Sequence, residues 1–350
     1  MKRLLIVRPD GIGDFIIFSA VLERYQKAFP DHQIDLLCDV SVKELVVAIP
    51  FIRKAFFINA RKLKHPGNIP VLAVLLFCRY DVLVYPVYSR SLSGDLFSHF
   101  VRAKEKVVFD GDDANDPWGK RFGRNKYYTR VIAADKGQKR ELDRNVEFIA
   151  KLSGQTSAGE VVTRMWFLAE DQICFDQIKK EYLLGDGQYV ILSPGAGVPI
   201  RWWPAEKWVA LAQMFLSQDH ACRIVVIGAG ADKEIVDAVV AGLEQHKSRT
   251  VNLYGKISLR IMAKLIAGAK LLVGTESAAV HMAAAVNTPN VCIMGGGHFG
   301  RFYPYGDLSE NRIVSHKMDC FGCNWQCKFP ESHCITMIEP GDVLREVGSI

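Results

Sequence analysis

The sequence lacks an apolar segment long enough to cross a membrane. Its longest uninterrupted apolar run is residues 69–78, ten residues that include Pro70, whereas a membrane-spanning helix needs about 20. The N-terminus has an uninterrupted apolar run of only four residues, 4–7, before Arg8, and this is shorter than the apolar core of a signal peptide. We therefore expect a cytoplasmic protein that keeps its N-terminus.

The sequence also has no short-period repeat and no low-complexity segment. Hydrophobic residues make up 49% and charged residues 23% of its 350 residues, which excludes a disordered, collagen-like or coiled-coil chain. At about 150 residues per domain, this length predicts two domains.

Excess charge of one sign is concentrated in one segment. The chain has 44 basic and 38 acidic residues, but residues 118–144 alone contain nine basic and three acidic ones. Such a segment suits an anionic partner, such as a phosphate, an acidic sugar, nucleic acid or anionic lipid. An ordinary solvated surface is the alternative. The basic residues are Lys120, Arg121, Arg124, Lys126, Arg130, Lys136, Lys139, Arg140 and Arg144.

The first forty residues follow the pattern of a strand, a glycine turn, a helix and a second strand. Apolar residues 4–7 are typical of a buried parallel strand, and the pattern restarts after Gly185-Asp186-Gly187 with a new strand, glycine turn and helix. Further strands are predicted at residues 55–58, 82–85, 106–109, 223–227, 250–252, 271–273 and 291–294.

The pattern predicts an α/β protein with two tandem Rossmann-like, doubly wound parallel sheets. The expected domains are residues 1–182 and 188–335, with a C-terminal helix in 336–350 that packs toward the first domain. Ligands of such sheets bind at the carboxyl ends of the strands. Two such edges facing each other would form a cleft with one substrate on each domain.

The first glycine turn contains Gly11 and Gly13, but Ile16 occupies the position of the third glycine of a dinucleotide fingerprint. Asp39, just after the second strand, nevertheless suits a nucleotide ribose, so an NAD-dependent oxidoreductase is an alternative. Asp14 opens the first helix. It is either a cap of that helix or a general base at the strand end.

The second half offers two further strand-end motifs. Arg201 follows the second glycine turn, and its guanidinium suits a diphosphate. Residues 276–278 would begin a helix whose N–H groups attract anions. His281 follows one turn later, where a hydrogen-bonded interior histidine is the alternative to a ligand-binding one. Residues 295–297 are three glycines that would allow close approach of a ligand.

Nine cysteines are present, and four of them are clustered in residues 320–334. The cluster suits a structural zinc or iron site, with reduced thiols and disulfides as alternatives. The five scattered cysteines are typical of small buried apolar residues. The clustered ones are Cys320, Cys323, Cys327 and Cys334.

Together these motifs resemble glycosyltransferase family 9, the bacterial heptosyltransferases of lipopolysaccharide core assembly. The resemblance follows the order of five motifs: residues 6–14, 193–204, 253–259, 276–285 and 288–289. It implies the GT-B fold and an inverting, metal-independent transfer from ADP-L-glycero-D-manno-heptose. It also implies that Asp14 is the general base, with Gly11 and Gly13 in the acceptor-side turn.

The resemblance implies a donor site in the C-terminal half. Glu276-Ser277-Ala278 departs from the family's usual Asp-Ser-Gly or Asp-Thr-Gly, so a different nucleotide sugar is an alternative donor. The donor residues that the resemblance implies are Ser193, Gly195, Ala196, Arg201, Asp232, Gly255, Lys256, Ile257, Ser258, Glu276, Ser277, Ala278 and His281.

The resemblance also implies the partners of the enzyme. The acceptor is expected to be an anionic glycolipid, and the basic segment would bring the enzyme to the cytoplasmic face of the inner membrane. No nucleic-acid partner and no catalytic cofactor are expected. Another glycan acceptor is an open alternative.

Overall fold

The computed structural model of the chain describes residues 1–62, 64–112, 114–115, 124–137, 140–155 and 161–348. The chain divides into two compact units, Met1–Thr163 and Arg164–Ile350. Among the described residues, no helix combines the length and the apolarity that crossing a membrane requires.

The first unit is built on a six-stranded parallel sheet. Its strands are β1 (Lys2–Arg8), β2 (His32–Asp39), β3 (Ile52–Ile58), β4 (Arg79–Tyr85), β5 (Arg102–Phe109) and β6 (Arg130–Ile132). Its described α-helices are α1 (Ile12–Ala28), α2 (Lys43–Val46), α3 (Asn68–Phe77), α4 (Leu92–Phe100) and α5 (Glu141–Ser153).

The strand order of this sheet is β3-β2-β1-β4-β5-β6. The direction of winding therefore reverses between β1 and β4, and the loops after these two strands meet at the same edge. Residues 4–7 of β1 are fully buried, because helices cover both faces of a doubly wound sheet. This explains why the sequence of β1 is continuously apolar.

The second unit repeats this plan with a second six-stranded parallel sheet. Its strands are β7 (Tyr189–Ser193), β8 (Arg223–Val226), β9 (Thr250–Asn252), β10 (Leu271–Thr275), β11 (Asn290–Ile293) and β12 (Asn311–Val314). Its α-helices are α6 (Ala169–Tyr182), α7 (Ala205–Gln218), α8 (Lys233–Gly242), α9 (Leu259–Ala267), α10 (Ala278–Ala285), α11 (His333–Thr336) and α12 (Pro340–Val347).

The order here is β12-β11-β10-β7-β8-β9, so winding reverses between β7 and β10. The loops that follow β7 and β10 are therefore neighbours at this edge, and ligands of such sheets bind at this point of reversal. The predicted fold class, two doubly wound parallel sheets, is confirmed.

The division between the units lies some twenty residues before the linker that the glycine-rich residues 185–187 indicate. Helix α6 belongs to the second unit, because the Asp171 carboxylate pairs with the Arg260 guanidinium at 2.7 Å. Gly187 donates its N–H to the carbonyl oxygen of Gly268 at 2.9 Å, so residues 185–187 form a turn inside this unit.

The C-terminal helix α12 packs against α7, β11 and β12 of its own unit. Val343 is fully buried there and joins the same apolar core as Ile338. The apolar face of this helix therefore helps to close one side of the second sheet.

Candidate functional site

In the first unit, the turn after β1 places Asp14 at the point where the winding of the sheet reverses. Gly11 is the N-cap of α1, in extended backbone (φ −74°, ψ 179°), and Asp14 lies in the first turn of the helix. Asp14 is therefore not the N-cap. Its carboxylate is half-buried, and the helix dipole favours its ionised form.

Arg8, the last residue of β1, lies fully buried beneath this turn. Its Nε pairs with Asp10 Oδ2 at 2.8 Å, its Nη1 donates to Asn145 Oδ1 at 3.0 Å, and its Nη2 donates to the carbonyl oxygen of Asp14 at 3.5 Å. Arg8 thus ties the turn that carries Asp14 to helix α5. The sequence alone does not indicate this role of Arg8.

The loop after β4 carries the buried Arg90, and Tyr88 of the same loop contacts the buried Arg144 of helix α5. Arg90 Nη2 donates to Asn125 Oδ1 at 2.7 Å, and its Nη1 lies 3.6 Å from Asp95 Oδ1. The guanidinium of Arg144 stacks over the Tyr88 ring at 3.7 Å. Contacts with the protein therefore orient both guanidinium groups.

Most of the described cations of the basic segment have acidic partners. Arg130, Lys136, Arg140 and Arg144 pair with Glu105, Asp110, Asp143 and Glu141, at 3.9, 3.3, 2.6 and 3.4 Å respectively. Lys120, Arg121, Lys139 and the side chain of Arg124 lie outside the described residues. The described part of this segment is therefore less basic at its surface than its sequence suggests.

In the second unit, Gly195 and Asp232 join the loops after β7 and β8. A Cβ on Gly195 would lie 2.0 Å from Cγ of Asp232, so only glycine fits there. Asp232 Oδ1 accepts the N–H of Gly197 at 2.9 Å. Thr275 Oγ1, at the end of β10, donates to the carbonyl oxygen of Gly195 at 2.7 Å. Three strand ends are thus held together.

Glu276 and Ser277 follow β10 at the reversal point of this sheet. Glu276 is 7% exposed, and neither of its carboxyl oxygens has a hydrogen-bond partner among the described residues. Burial raises the pKa of Glu276 to about 7, although the positive charge of Arg201 opposes the shift. Ser277 is the N-cap of α10, and its Oγ likewise has no described partner.

Arg201, whose charge acts on this acid, also contacts an aromatic ring distant in the sequence. Its guanidinium carbon is 4.6 Å from the centre of the Trp325 ring, a cation–π contact. Trp325 Nε1 donates to His298 Nδ1 at 3.3 Å. The positive charge of Arg201 also contributes to the lowered pKa of His298, although burial is the larger cause.

Trp325 belongs to the Cys-rich segment (residues 320–334), which packs on the three glycines after β11. A Cβ on Gly297 would lie 2.5 Å from the Trp325 ring, and one on Gly296 would lie 2.2 Å from the Phe321 ring. These glycines therefore admit aromatic rings of the chain itself. Through Trp325, this segment therefore reaches Arg201, which follows the glycine turn after β7.

The four clustered cysteines are all unbridged. Cys334 is buried, and its Sγ accepts the N–H of Gly296 at 3.3 Å. Within the part of the chain that the structure describes, no three His, Cys, Asp or Glu side chains come together as metal ligands. These four residues, as placed, therefore do not fit the predicted structural zinc or iron.

His281 lies inside helix α10 and is 4% exposed. Its Nδ1 shares a hydrogen bond with Tyr305 Oη at 3.0 Å, and the two rings stack at 5.8 Å. Burial lowers the pKa of His281 to about 4, so the imidazole is neutral near pH 7. This geometry favours the interior histidine over one that presents a positive charge to a phosphate.

The loop expected to hold the base of the nucleotide follows β9. Gly255 has φ +64°, and Ser258 caps α9 by accepting the N–H of Ile261 at 3.3 Å. Lys256 Nζ donates to the carbonyl oxygen of Asn252 at 2.9 Å. The side chains of Lys256 and Ser258 thus form hydrogen bonds within the protein. Gly255 adopts the left-handed backbone conformation that favours glycine.

Asp39, the residue that favoured a dinucleotide, caps the chain after β2. Its Oδ1 accepts the N–H of Ser41 and its Oδ2 accepts the N–H of Ala60, both at 2.9 Å. Both carboxylate oxygens therefore have structural partners, and the feature that supported an oxidoreductase is explained without a ribose.

Comparison with known proteins agrees with this arrangement. Residues 83–330 match the sequence model of glycosyltransferase family 9 (heptosyltransferase). Lipooligosaccharide heptosyltransferase 2 of Haemophilus influenzae is 24% identical over 304 residues, which are 84% of this chain and 83% of that protein.

Two solved structures share the fold. A family 9 glycosyltransferase from Veillonella parvula has a TM-score of 0.78 at 17% identity and covers 99% of this chain and 96% of its own. The ADP-heptose lipopolysaccharide heptosyltransferase II of Escherichia coli has a TM-score of 0.75 at 18% identity, covering 100% and 98%. The predicted GT-B fold is confirmed.

Proposed function

The chain belongs to glycosyltransferase family 9, the heptosyltransferase family, and from this membership we propose that it transfers heptose from ADP-L-glycero-D-manno-heptose to an anionic acceptor of the lipopolysaccharide-core type, with inversion at the anomeric carbon. It is a glycosyltransferase whose relatives are lipooligosaccharide and lipopolysaccharide heptosyltransferases. The donor is inferred from the Escherichia coli relative, which is described as an ADP-heptose enzyme.

The observation that carries the proposal is the reversal point of the second sheet. There the buried Glu276 and the Oγ of Ser277 have no described hydrogen-bond partners, and the charge of Arg201 acts on Glu276. Buried polar groups without partners are rare in folded proteins. The hydroxyl groups and diphosphate of a nucleotide sugar would satisfy them.

We assign the diphosphate to Arg201 and to the N-terminus of α10, beginning at Ser277 and Ala278. Ser193, Gly195 and Ala196 would line the opposite loop, and Asp232 would reach the ribose. The base would contact Gly255, Lys256, Ile257 and Ser258, chiefly through backbone atoms. His281 would support α10 from within as a neutral side chain.

We place the acceptor on the first unit, with its reacting hydroxyl at Asp14 beside Gly11 and Gly13. In a single displacement, the Asp14 carboxylate takes the proton of the acceptor hydroxyl while the hydroxyl oxygen forms a bond to the anomeric carbon. The bond from that carbon to the ADP oxygen breaks at the same time, and ADP leaves with both electrons. This single displacement inverts the configuration at the anomeric carbon.

The charge that develops on the departing ADP would be met by Arg201 and by the N–H groups at the start of α10. The chain's own groups thus supply the stabilisation that a catalytic cation would otherwise give. We expect EDTA to leave the rate of heptose transfer unchanged in a steady-state assay. A loss of activity that Mg²⁺ restores would contradict this assignment.

An Asp14→Asn variant tests the general base. We expect the rate of heptose transfer to fall by about 10²–10⁴-fold, because the amide cannot accept the proton. ADP binding, measured by calorimetry, should stay unchanged, since the nucleotide is assigned to the second unit. The exposed acid Asp31 gives the control variant Asp31→Asn, which should transfer normally. Normal transfer by Asp14→Asn would overturn the assignment.

A thermal-shift panel of ADP, ADP-heptose, UDP, GDP and NAD tests the donor. A ligand present at 100 times its Kd stabilises the protein by about 2.7 kcal/mol, which such a melt resolves easily. We expect stabilisation by ADP and ADP-heptose. Stabilisation by NAD alone would overturn the transferase proposal.

A different nucleotide sugar is the second candidate, and Glu276 is the observation that favours it. Glu276 replaces the shorter acid of the family. Because burial raises its pKa to about 7, the donor site would contain a carboxyl group that is mostly neutral at pH 6. A response to UDP or GDP in the same panel would establish this alternative.

A further inference from the structure

Helix α3 (Asn68–Phe77) is apolar on both of its long faces. Apart from Asn68, all of its residues are hydrophobic or proline. One face packs on the first unit's core through the fully buried Leu75 and the partly buried Val71 and Leu72. A helix that is apolar all round is normally covered on every side, but the described residues cover this one on one side only.

The uncovered face is a continuous apolar stripe. Ile69, Val74, Leu76 and Phe77 have exposed fractions of 69%, 43%, 37% and 87%. Their positions follow the spacing that places residues on one side of a helix. Contiguous exposed apolar side chains of this kind mark an interaction surface.

Basic residues lie at both ends of the stripe. Arg61, Lys62 and Lys64 are exposed before its first turn, and Arg79 follows its last. Arg102 is the register partner of Arg79 on the neighbouring strand. None of these five forms an ion pair with another described residue. From residue 45 to residue 80 the sequence contains six basic and no acidic residues.

We propose that this surface, the stripe of α3 with its flanking cations, docks the enzyme onto an anionic phospholipid bilayer. The apolar side chains would enter the boundary between headgroups and acyl chains, while the cations meet lipid phosphates. Ten residues of helix span about 15 Å, which suits a helix that lies in the interface. The inference rests on the proposed function, because a lipid-anchored acceptor requires work at a bilayer.

Charge decides between a bilayer and a second copy of the chain. A two-fold contact along α3 would bring like-charged helix ends together whichever way the helices run, since both ends are basic. An anionic bilayer instead complements both ends at once. It therefore fits the charge pattern, and a second copy does not.

Vesicle sedimentation tests the proposal. The wild-type protein should co-sediment with phosphatidylethanolamine vesicles that contain phosphatidylglycerol. A double variant, Ile69→Ser with Phe77→Ser, should bind about tenfold or more weakly, because it removes the largest exposed apolar groups. The matched control, Ile173→Ser with Leu308→Ser, alters two exposed apolar residues of the second unit (61% and 55% exposed) and should bind normally.

A charge variant separates the electrostatic contribution to vesicle binding from the apolar one. Lys62→Glu with Lys64→Glu should lose the preference for phosphatidylglycerol, and added salt should weaken wild-type binding. Equal binding by the wild type and the Ile69/Phe77 variant would overturn the proposal. So would a wild-type dimer in light scattering that this variant abolishes, since the stripe would then belong to a second copy.

Activity distinguishes failure of this inference from failure of the proposed function. The Ile69/Phe77 variant should transfer heptose normally to a delipidated acceptor oligosaccharide and poorly to acceptor embedded in vesicles. If the wild type transfers to neither acceptor, the proposed function fails, while the vesicle binding still decides the docking surface. Normal transfer by the variant to both acceptors would overturn the docking proposal.

Discussion

Glu276 is a buried carboxyl whose protonation should be visible in the stability of the whole chain. Its pKa rises from an ordinary 4.5 to about 7 on folding, because burial disfavours the charged form. Between these values the folded chain holds a proton that the unfolded chain has lost. The free energy of unfolding should therefore fall as pH rises through this window, by up to about 3 kcal/mol.

Urea unfolding of the wild type and of Glu276→Gln across this pH range tests this prediction. The free energy of unfolding is plotted against pH for each protein, and the difference between the two curves gives the contribution of Glu276. The stability of the wild type relative to the variant should decline from acid to neutral pH and become constant above it. His281 acts oppositely, since its lowered pKa of about 4 costs stability as pH falls, but it is present in both proteins and cancels. Parallel curves would show that Glu276 titrates normally.

Gly195 must be glycine because of a single neighbour, Asp232. Gly195→Ala should destabilise the chain by about 1–3 kcal/mol, because its Cβ would overlap the Asp232 carboxyl group. In urea unfolding, adding Asp232→Ala should recover part of this loss. Gly341→Ala is the control, since nothing lies within 4 Å of a Cβ there. Additive effects at 195 and 232 would refute the contact.

Individual residues of the site differ in how far the sequence predicts them. The positions of Asp14, Arg201 and Glu276 after strand ends were predictable, because strand-end loops of a doubly wound sheet converge at one edge. The contacts of Arg8 and Trp325 were not. Each joins segments far apart in the chain, as Arg8 and Asn145 do across 137 positions, and no local pattern specifies such a pair.

At the scale of elements, the Cys-rich segment acts as a support for Arg201. Trp325→Leu should weaken ADP binding by about 3–10-fold in calorimetry, since an aromatic–guanidinium contact contributes about 0.5–2 kcal/mol. Trp325→Phe should keep most of the affinity, because a ring remains beneath the cation. Gly297→Ala should weaken binding similarly by displacing the indole. Unchanged affinity in both Trp325→Leu and Gly297→Ala would refute the support.

The strands next to each reversal point were predictable, and so were the edge strands β3 and β9, whereas the edge strands β6 and β12 were not. Strands β1, β7 and β10 are continuously buried and read as apolar runs. Strands β6 and β12 have three and four residues, and each contains an arginine, so neither forms the apolar run that indicates a buried strand. Residues 69–78 show the same limit, since apolar content alone cannot distinguish a buried helix from the half-exposed α3.

For the whole molecule, two domains were predictable from length and from the repeated strand–turn–helix pattern. The position of the division was not. Gly185-Asp186-Gly187 has the composition of a linker, yet it is a turn that leads from α6 into β7. Composition describes local chain flexibility, whereas the division depends on which sheet the preceding helix packs against.

The position of the division, before α6 and not at residues 185–187, predicts how fragments of the second unit behave. A fragment of residues 164–350 retains α6 and should unfold cooperatively and bind ADP. A fragment of residues 188–350 leaves Arg260 without Asp171 and uncovers the face of α9 that packs on α6. The shorter fragment loses this ion pair and the apolar packing between the two helices, so it should melt at lower temperature and bind ADP more weakly. Equal melting temperatures would place the division at the glycine-rich turn.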